Sequence, residues 1–181
     1  MACDITSGFQ LGCRDNVGGI KNIYILSGSV AGVTDSAGAI SQISGSGTFY
    51  KFELTRNTGD LVETPTPSLE NGTVFYAQTV NAAFHKLQAS IRNQVKVLAQ
   101  NPDLKIVVET NNGTDDNVGK FFYVGRYRGA VLTGGSGTTG TAFGDANQYA
   151  LTFEATEPSP MEEITTTGQL ASALGGSLTV S

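Results

Sequence analysis

The sequence predicts a mainly β protein with one helix: an antiparallel β-sandwich or barrel of about six or seven strands, flanked by a single α-helix and carrying a long hairpin. Three observations predict it. Thr48–Arg56 and Thr73–Phe84 alternate with a period of two, bulky residues falling on even positions (Tyr50, Phe52, Leu54, Val74, Tyr76, Val80, Ala82, Phe84). Smaller or more polar residues fall on the odd positions Lys51, Glu53, Thr55, Ala77, Thr79, Asn81 and Ala83, so each run has one apolar face, as a half-buried strand does. From Ala82 to Gln100 the period lengthens, with Phe84, Leu87, Ile91, Val95 and Leu98 on one helical face. Finally, the 181 residues include 23 glycines and only 15% charged residues, a composition that suits strands and turns.

The remaining elements follow in chain order. Residues 1–19 are glycine-punctuated and read as an N-terminal arm. Ile20–Leu26 is a short strand with apolar residues on both faces, and Ala39–Ser44 a second short strand between turns. The joint 57–72 contains Asn57-Thr58-Gly59-Asp60 and Pro65-Thr66-Pro67, so it is neither helix nor central strand. Its length and acid-rich, proline-stiffened make-up fit a contact loop or a mobile surface insertion. Asn81 is the expected helix N-cap and Asn101-Pro102 the expected stop. Lys86, Arg92, Asn93, Lys96 and Gln100 lie off the apolar stripe, leaving a basic, amide-rich face for solvent or for a subunit. Leu104–Thr110 and Phe121–Leu132 read as strands, 133–147 as a Gly/Thr loop, and Tyr149–Ala155 as the clearest amphipathic strand. The single domain is expected over 1–160, followed by a weakly structured tail, 161–181, with a helical turn near Gln169–Leu174.

The chemistry-bearing patterns are sparse. Gly135-Ser136-Gly137-Thr138-Thr139-Gly140 formally matches a dinucleotide fingerprint, but no helix pattern opens behind it, so a flexible loop is expected. Asp115, Asp116 and Asn117, with Asn111 and Asn112, offer oxygen ligands without calcium-loop spacing and read equally as a turn. Asn71-Gly72-Thr73 and Asn112-Gly113-Thr114 match a glycosylation acceptor and read as turn residues. His85 is the only histidine, with no acid–base partner evident in the sequence. Cys3 and Cys13 are either reduced thiols or a disulfide tying down the arm. No apolar run is long enough to span a membrane, and no secretory leader pattern opens the chain. No cofactor, metal site or enzyme activity is expected. The net charge of −5 argues against a surface that grips phosphate backbones, yet suits a wall that nucleic acid passes without sticking.

Phe121-Phe122-Tyr123-Val124-Gly125-Arg126-Tyr127, a Gly/Thr loop, and Ala142-Phe143-Gly144-Asp145-Ala146-Asn147-Gln148-Tyr149-Ala150-Leu151-Thr152-Phe153-Glu154-Ala155 together resemble the closing part of phage major tail tube proteins. In that family a Gly-Asp-x-x-(Gly or Gln)-Tyr turn leads into a strand like Leu-Thr-Phe-x-Ala, with a proline exit similar to Glu157-Pro158. Leu11–Lys21 also resembles starts seen among phage virion proteins. The matching strand-and-turn patterns cover roughly a third of the chain and are less specific than a catalytic signature.

The resemblance implies a virion structural protein, folded in the host cytoplasm. It would self-assemble into hexameric rings stacked as a tail tube, a conduit for double-stranded DNA, with sheath or other tail proteins as further partners. Type VI secretion and contractile-injection tubes share that fold. A long hairpin would line the channel, matched here by the runs 48–56 and 73–84, with Lys51, Glu53, Thr55, Ala77, Thr79 and Asn81 as candidate lumen-facing residues. The joint would touch the next ring through Asn57, Asp60, Glu63, Pro65, Pro67 and Glu70. A different class of function, a carbohydrate-binding or adhesin module, would use Tyr and Phe residues of 121–127 as an aromatic platform.

Overall fold

A computed structural model of the chain describes residues 8, 16–36, 38–113, 119–165 and 169–181. The protein is mainly β with a single α-helix: a closed five-strand barrel and a separate four-strand sheet. Ten strands lie among the described residues, against the six or seven expected.

Strand β1 (Ile20–Ser36) and strand β2 (Ala39–Glu53) form one long antiparallel hairpin, registered from Asn22↔Glu53 to Ser36↔Ala39. The expected short strands at 20–26 and 39–44 are therefore parts of two long ones, and the run 48–56 continues β2 as far as Glu53. Glycine hid this continuity. Gly28 and Gly47 face each other at φ +150° and +130°, and a Cβ on either would strike the opposite backbone. Only glycine lets the two strands approach so closely there.

The barrel closes by way of strand β5 (Ile106–Thr110) on β1, strand β6 (Phe121–Val124) on β5, and strand β9 (Glu162–Ile164) on β6. Strand β9 then runs parallel to β2 at Ala39 and Ile40, and β2 returns to β1. Strand β10 (Leu174–Val180) runs parallel to β2 from Ile43 to Phe49. Residues 161–181, expected as a weakly structured tail, thus supply two strands and the 3-10 turn Leu170–Ala173. Leu170, Ala173 and Leu178 are buried with Tyr24, Ile40, Ile43, Phe49, Phe121 and Tyr123. The small, glycine-rich sequence of β10 carries too little alternation to announce a strand.

The separate sheet has the order β3-β4-β8-β7, antiparallel throughout, where β3 is Gly59–Ser68, β4 Thr73–His85, β7 Val131–Thr138 and β8 Gln148–Glu157. The runs 48–56 and 73–84 accordingly sit in different sheets and do not pair. The partner of β4 is β3, formed from residues expected to be a loop. Its prolines are tolerated because β3 is an edge strand. The expected strand 121–132 breaks after Val124: Gly125 and Gly129 take positive φ (75° and 79°), and the chain crosses to the second sheet. The expected loop 133–147 begins as strand β7.

The helix α1 spans Ala89–Gln100, with Gln88 rather than Asn81 at its N-cap and Asn101 at its C-cap. Phe84 and Leu87 precede it. Val80, Ala82 and Phe84 are all buried, so the period of two persists to the end of β4 before the helix takes over. Of the helix only Leu98 is buried, Ile91 and Val95 being half-buried. The core between barrel and sheet consists chiefly of strand residues, among them Ile23, Val80, Ile106, Val108, Leu151 and Phe153. Truncating one of its aromatics to alanine costs about 3–5 kcal/mol.

Candidate interaction surfaces

The four-strand sheet contains no lysine or arginine in any strand, whereas Asp60, Glu63, Glu154 and Glu157 all lie in it. Pairing fixes which side chains share its outer face. Val62↔Thr79, Thr79↔Glu154 and Val131↔Glu154 form one row across the sheet; Asp60↔Asn81, Asn81↔Thr152 and Gly134↔Thr152 form another. The face is rich in threonine and amide and carries the carboxylates Asp60 and Glu154. The Thr152 hydroxyl donates to Asn81 Oδ1 at 2.9 Å, and Asn81 Nδ2 donates to Asp60 Oδ2 at 3.4 Å.

The predicted lumen residues therefore divide. Ala77, Thr79 and Asn81 lie on this outer face. Lys51 and Glu53 lie on β2, ion-paired to each other at 2.8 Å, and Thr55 follows β2 in a turn. The predicted ring-contact residues divide too. Asn57 holds a positive φ of 62° in the turn before β3, and Glu70 lies in the turn after it. Asp60, Glu63, Pro65 and Pro67 belong to β3 itself. Glu63 points to the inner side, where its Oε1 accepts from Gln78 Nε2 at 3.2 Å and from Met161 N at 2.6 Å.

The two edges of the sheet differ. Thr58 O accepts from Ala83 N at 2.9 Å, so even-numbered backbone groups of β3 face β4 and odd-numbered ones face outward. Pro65 and Pro67 fall on the outward set and remove two donors from the free edge. Strand β7 at the other edge has neither proline nor charge, and all but one of its residues are exposed. Among the described residues a further open edge lies on β1: its pairing with β5 stops at Ile25, and Ser27–Ser36 pair only with β2. Arg126 secures the end of that hairpin, donating from Nη2 to Asp35 Oδ1 at 2.6 Å and from Nη1 to Glu162.

Polar groups in buried positions serve the fold. Glu157 accepts from the backbone N–H groups of Tyr127 (3.1 Å) and Arg128 (3.0 Å), fixing the crossing turn. The buried Gln78 accepts from Gly125 N at 3.2 Å. Their signal was present in the sequence: each stands in phase with buried apolar neighbours, Glu157 with Phe153 and Ala155, Gln78 with Val80 and Ala82. At one end of the barrel Glu109 accepts from Asn22 Nδ2 (2.6 Å) and the Tyr24 hydroxyl (2.8 Å), with Lys21 Nζ at 3.3 Å. Burial alone would raise the Glu109 carboxyl, but these donors together hold it below its ordinary range.

His85 Nε2 lies 2.7 Å from the Thr55 hydroxyl, and the pair is exposed. Gly135 and Gly137 are strand residues of β7, so the expected flexible loop is corrected there, and no helix opens behind Gly140. Asp145 Oδ2 accepts from Thr141 N (2.8 Å) and Ala142 N (2.7 Å), which lowers its carboxyl and closes that turn on itself. Of the expected aromatic platform, Phe121 and Tyr123 are buried in the barrel and Tyr127 is exposed. Cys3, Cys13, Asp115, Asp116 and Asn117 lie outside the described residues. Among the described residues there is no group of three or more metal-ligating side chains, and no helix is long and apolar enough to cross a membrane. Comparison with protein-family models, curated proteins and solved structures finds no match to this chain.

Proposed function

We propose that this chain is a structural protein that assembles with copies of itself into hexameric rings stacked as a tube, a conduit for double-stranded DNA of the phage tail-tube kind. The observation that carries the reading is the outer face of the four-strand sheet. It combines threonine and amide with carboxylate, in strands without lysine or arginine, and an open edge bounds it at β7. A channel wall for DNA must let phosphates pass without displacing their counterions, and a surface without cations does that. Open sheet edges supply the means of joining copies, since unpaired backbone groups template further strands. Thr79, Asn81 and Ala77 keep the lumen role on this reading; Lys51, Glu53 and Thr55, on the barrel side, do not. The resemblance of 121–127 and 142–155 to tail tube proteins supports the same reading.

Electron microscopy of the purified protein at high concentration tests it. Rings or tubes with a central channel are expected, together with no retention of duplex DNA at physiological salt. A protein that stays monomeric at every concentration overturns the proposal.

A further inference from the structure

Two surfaces at opposite ends of strand β4 complement each other. At its start, the β3–β4 turn presents Leu69, which is 99% exposed, with Val74 and Phe75 also exposed beside it. At its end, helix α1 leaves two apolar hollows of about 500 and 580 Å³ along its flanks. Phe52 and Leu98 line both, with Tyr50 and Val97 in one and Phe84 and Ile91 in the other. Val97 is 58% exposed. Leaving such apolar groups in water is unfavourable, and contiguous apolar hollows mark contact sites.

Charge separates the two surfaces in the same sense. Residues 57–85 contain Asp60, Glu63 and Glu70 and no lysine or arginine; residues 86–100 contain Lys86, Arg92 and Lys96 and no acid. Arg92 and Lys96 are exposed on the helix. Because Pro65 and Pro67 blunt the backbone edge of β3, the hairpin is suited to contacts through its side chains.

We infer that the β3–β4 turn of one copy docks, Leu69 first, into the hollows beside helix α1 of a second copy, guided by acid on the hairpin and base on the helix. The inference rests on the self-assembly reading above. One molecule cannot close this contact on itself: the 13 residues of β4 separate the turn from the helix by roughly 40 Å at about 3.3 Å per residue. A contact between unlike surfaces at opposite ends is head-to-tail, and it propagates.

Two full-length variants test it by sedimentation velocity, Leu69→Asp and Val97→Asp, each altering one exposed side chain. Each alone is expected to lose elongation, its association weakened about tenfold or more, because burying the new carboxylate opposes docking. Mixed in equal amounts, the intact hairpin of one meets the intact helix of the other, and a species of twice the mass of either forms. Should an aspartate variant lose the wild-type circular dichroism, the charge reversals Glu70→Lys and Lys96→Glu replace the pair: each alone is expected to lose elongation, and mixing is expected to restore it, because each reversed surface meets its opposite charge on the other variant. Wild-type protein that never associates defeats the self-assembly reading. Wild-type protein that elongates while both variants elongate equally, or variants that stop but do not pair on mixing, overturns the hairpin-to-helix contact alone.

Discussion

Strands β3 and β7 are the two edges of one sheet, each paired on one side only among the described residues, yet their chemistry is opposite. Strand β3 places Pro65 and Pro67 on its outward backbone positions and carries Asp60 and Glu63. Strand β7 runs Val-Leu-Thr-Gly-Gly-Ser-Gly-Thr with nothing to discourage a further strand. A sheet-forming protein protects edges that must not pair. That one edge is blocked and the other left open separates two kinds of contact in the proposed assembly: backbone pairing would fall to β7, side-chain docking to the β3–β4 hairpin.

The most damaging change to this asymmetry is a charge on the open edge. Ser136→Lys, exposed on β7, is expected to reduce self-association by more than tenfold, roughly the effect of losing one strand-pairing contact; analytical ultracentrifugation reads it. Unblocking the other edge gives the next largest effect. Pro65→Thr with Pro67→Thr restores two outward N–H groups, and light scattering is expected to show disordered aggregation that the parent lacks. Glu157→Ala leaves the N–H groups of Tyr127 and Arg128 without their acceptor. It should lower stability by about 1–3 kcal/mol in urea titrations without altering either edge. The smallest effect concerns pH. The Glu109 carboxyl lies below its ordinary value of 4.5, so its stabilising contribution is present above that value and is lost as pH falls through the lowered one. Glu109→Gln should flatten the loss of stability in that acid window while association near neutrality stays unchanged.

Much of this was legible where side chains alternate or repeat. Tyr149–Ala155 announces β8, Ile106–Val108 announces β5, and Asn101-Pro102 stops the helix where expected. The helix starts later than its stripe suggests because Phe84 satisfies both the period of two with Val80 and Ala82 and the helical stripe with Leu87 and Ile91; burial of Phe84 on β4 decides between them. Strands built from glycine and serine left no alternation to read, so β7, β10, the outer half of β1 and the Gly45–Gly47 stretch that makes β2 continuous stayed hidden. Prolines concealed β3 because their tolerance depends on which side of the strand is free, which only pairing reveals. The candidate wall was half legible: Ala77, Thr79 and Asn81 lie on one polar face, but that Asp60, Thr152 and Glu154 share it follows from register.

The most direct measurement is backbone amide hydrogen exchange at low and high protein concentration. Association through the open edge predicts that amides within Val131–Thr138 slow markedly as concentration rises, while Leu61 and Glu63 on the β3 edge exchange at unchanged rates. Exchange across 131–138 that is independent of concentration, or protection that appears on β3 instead, contradicts it.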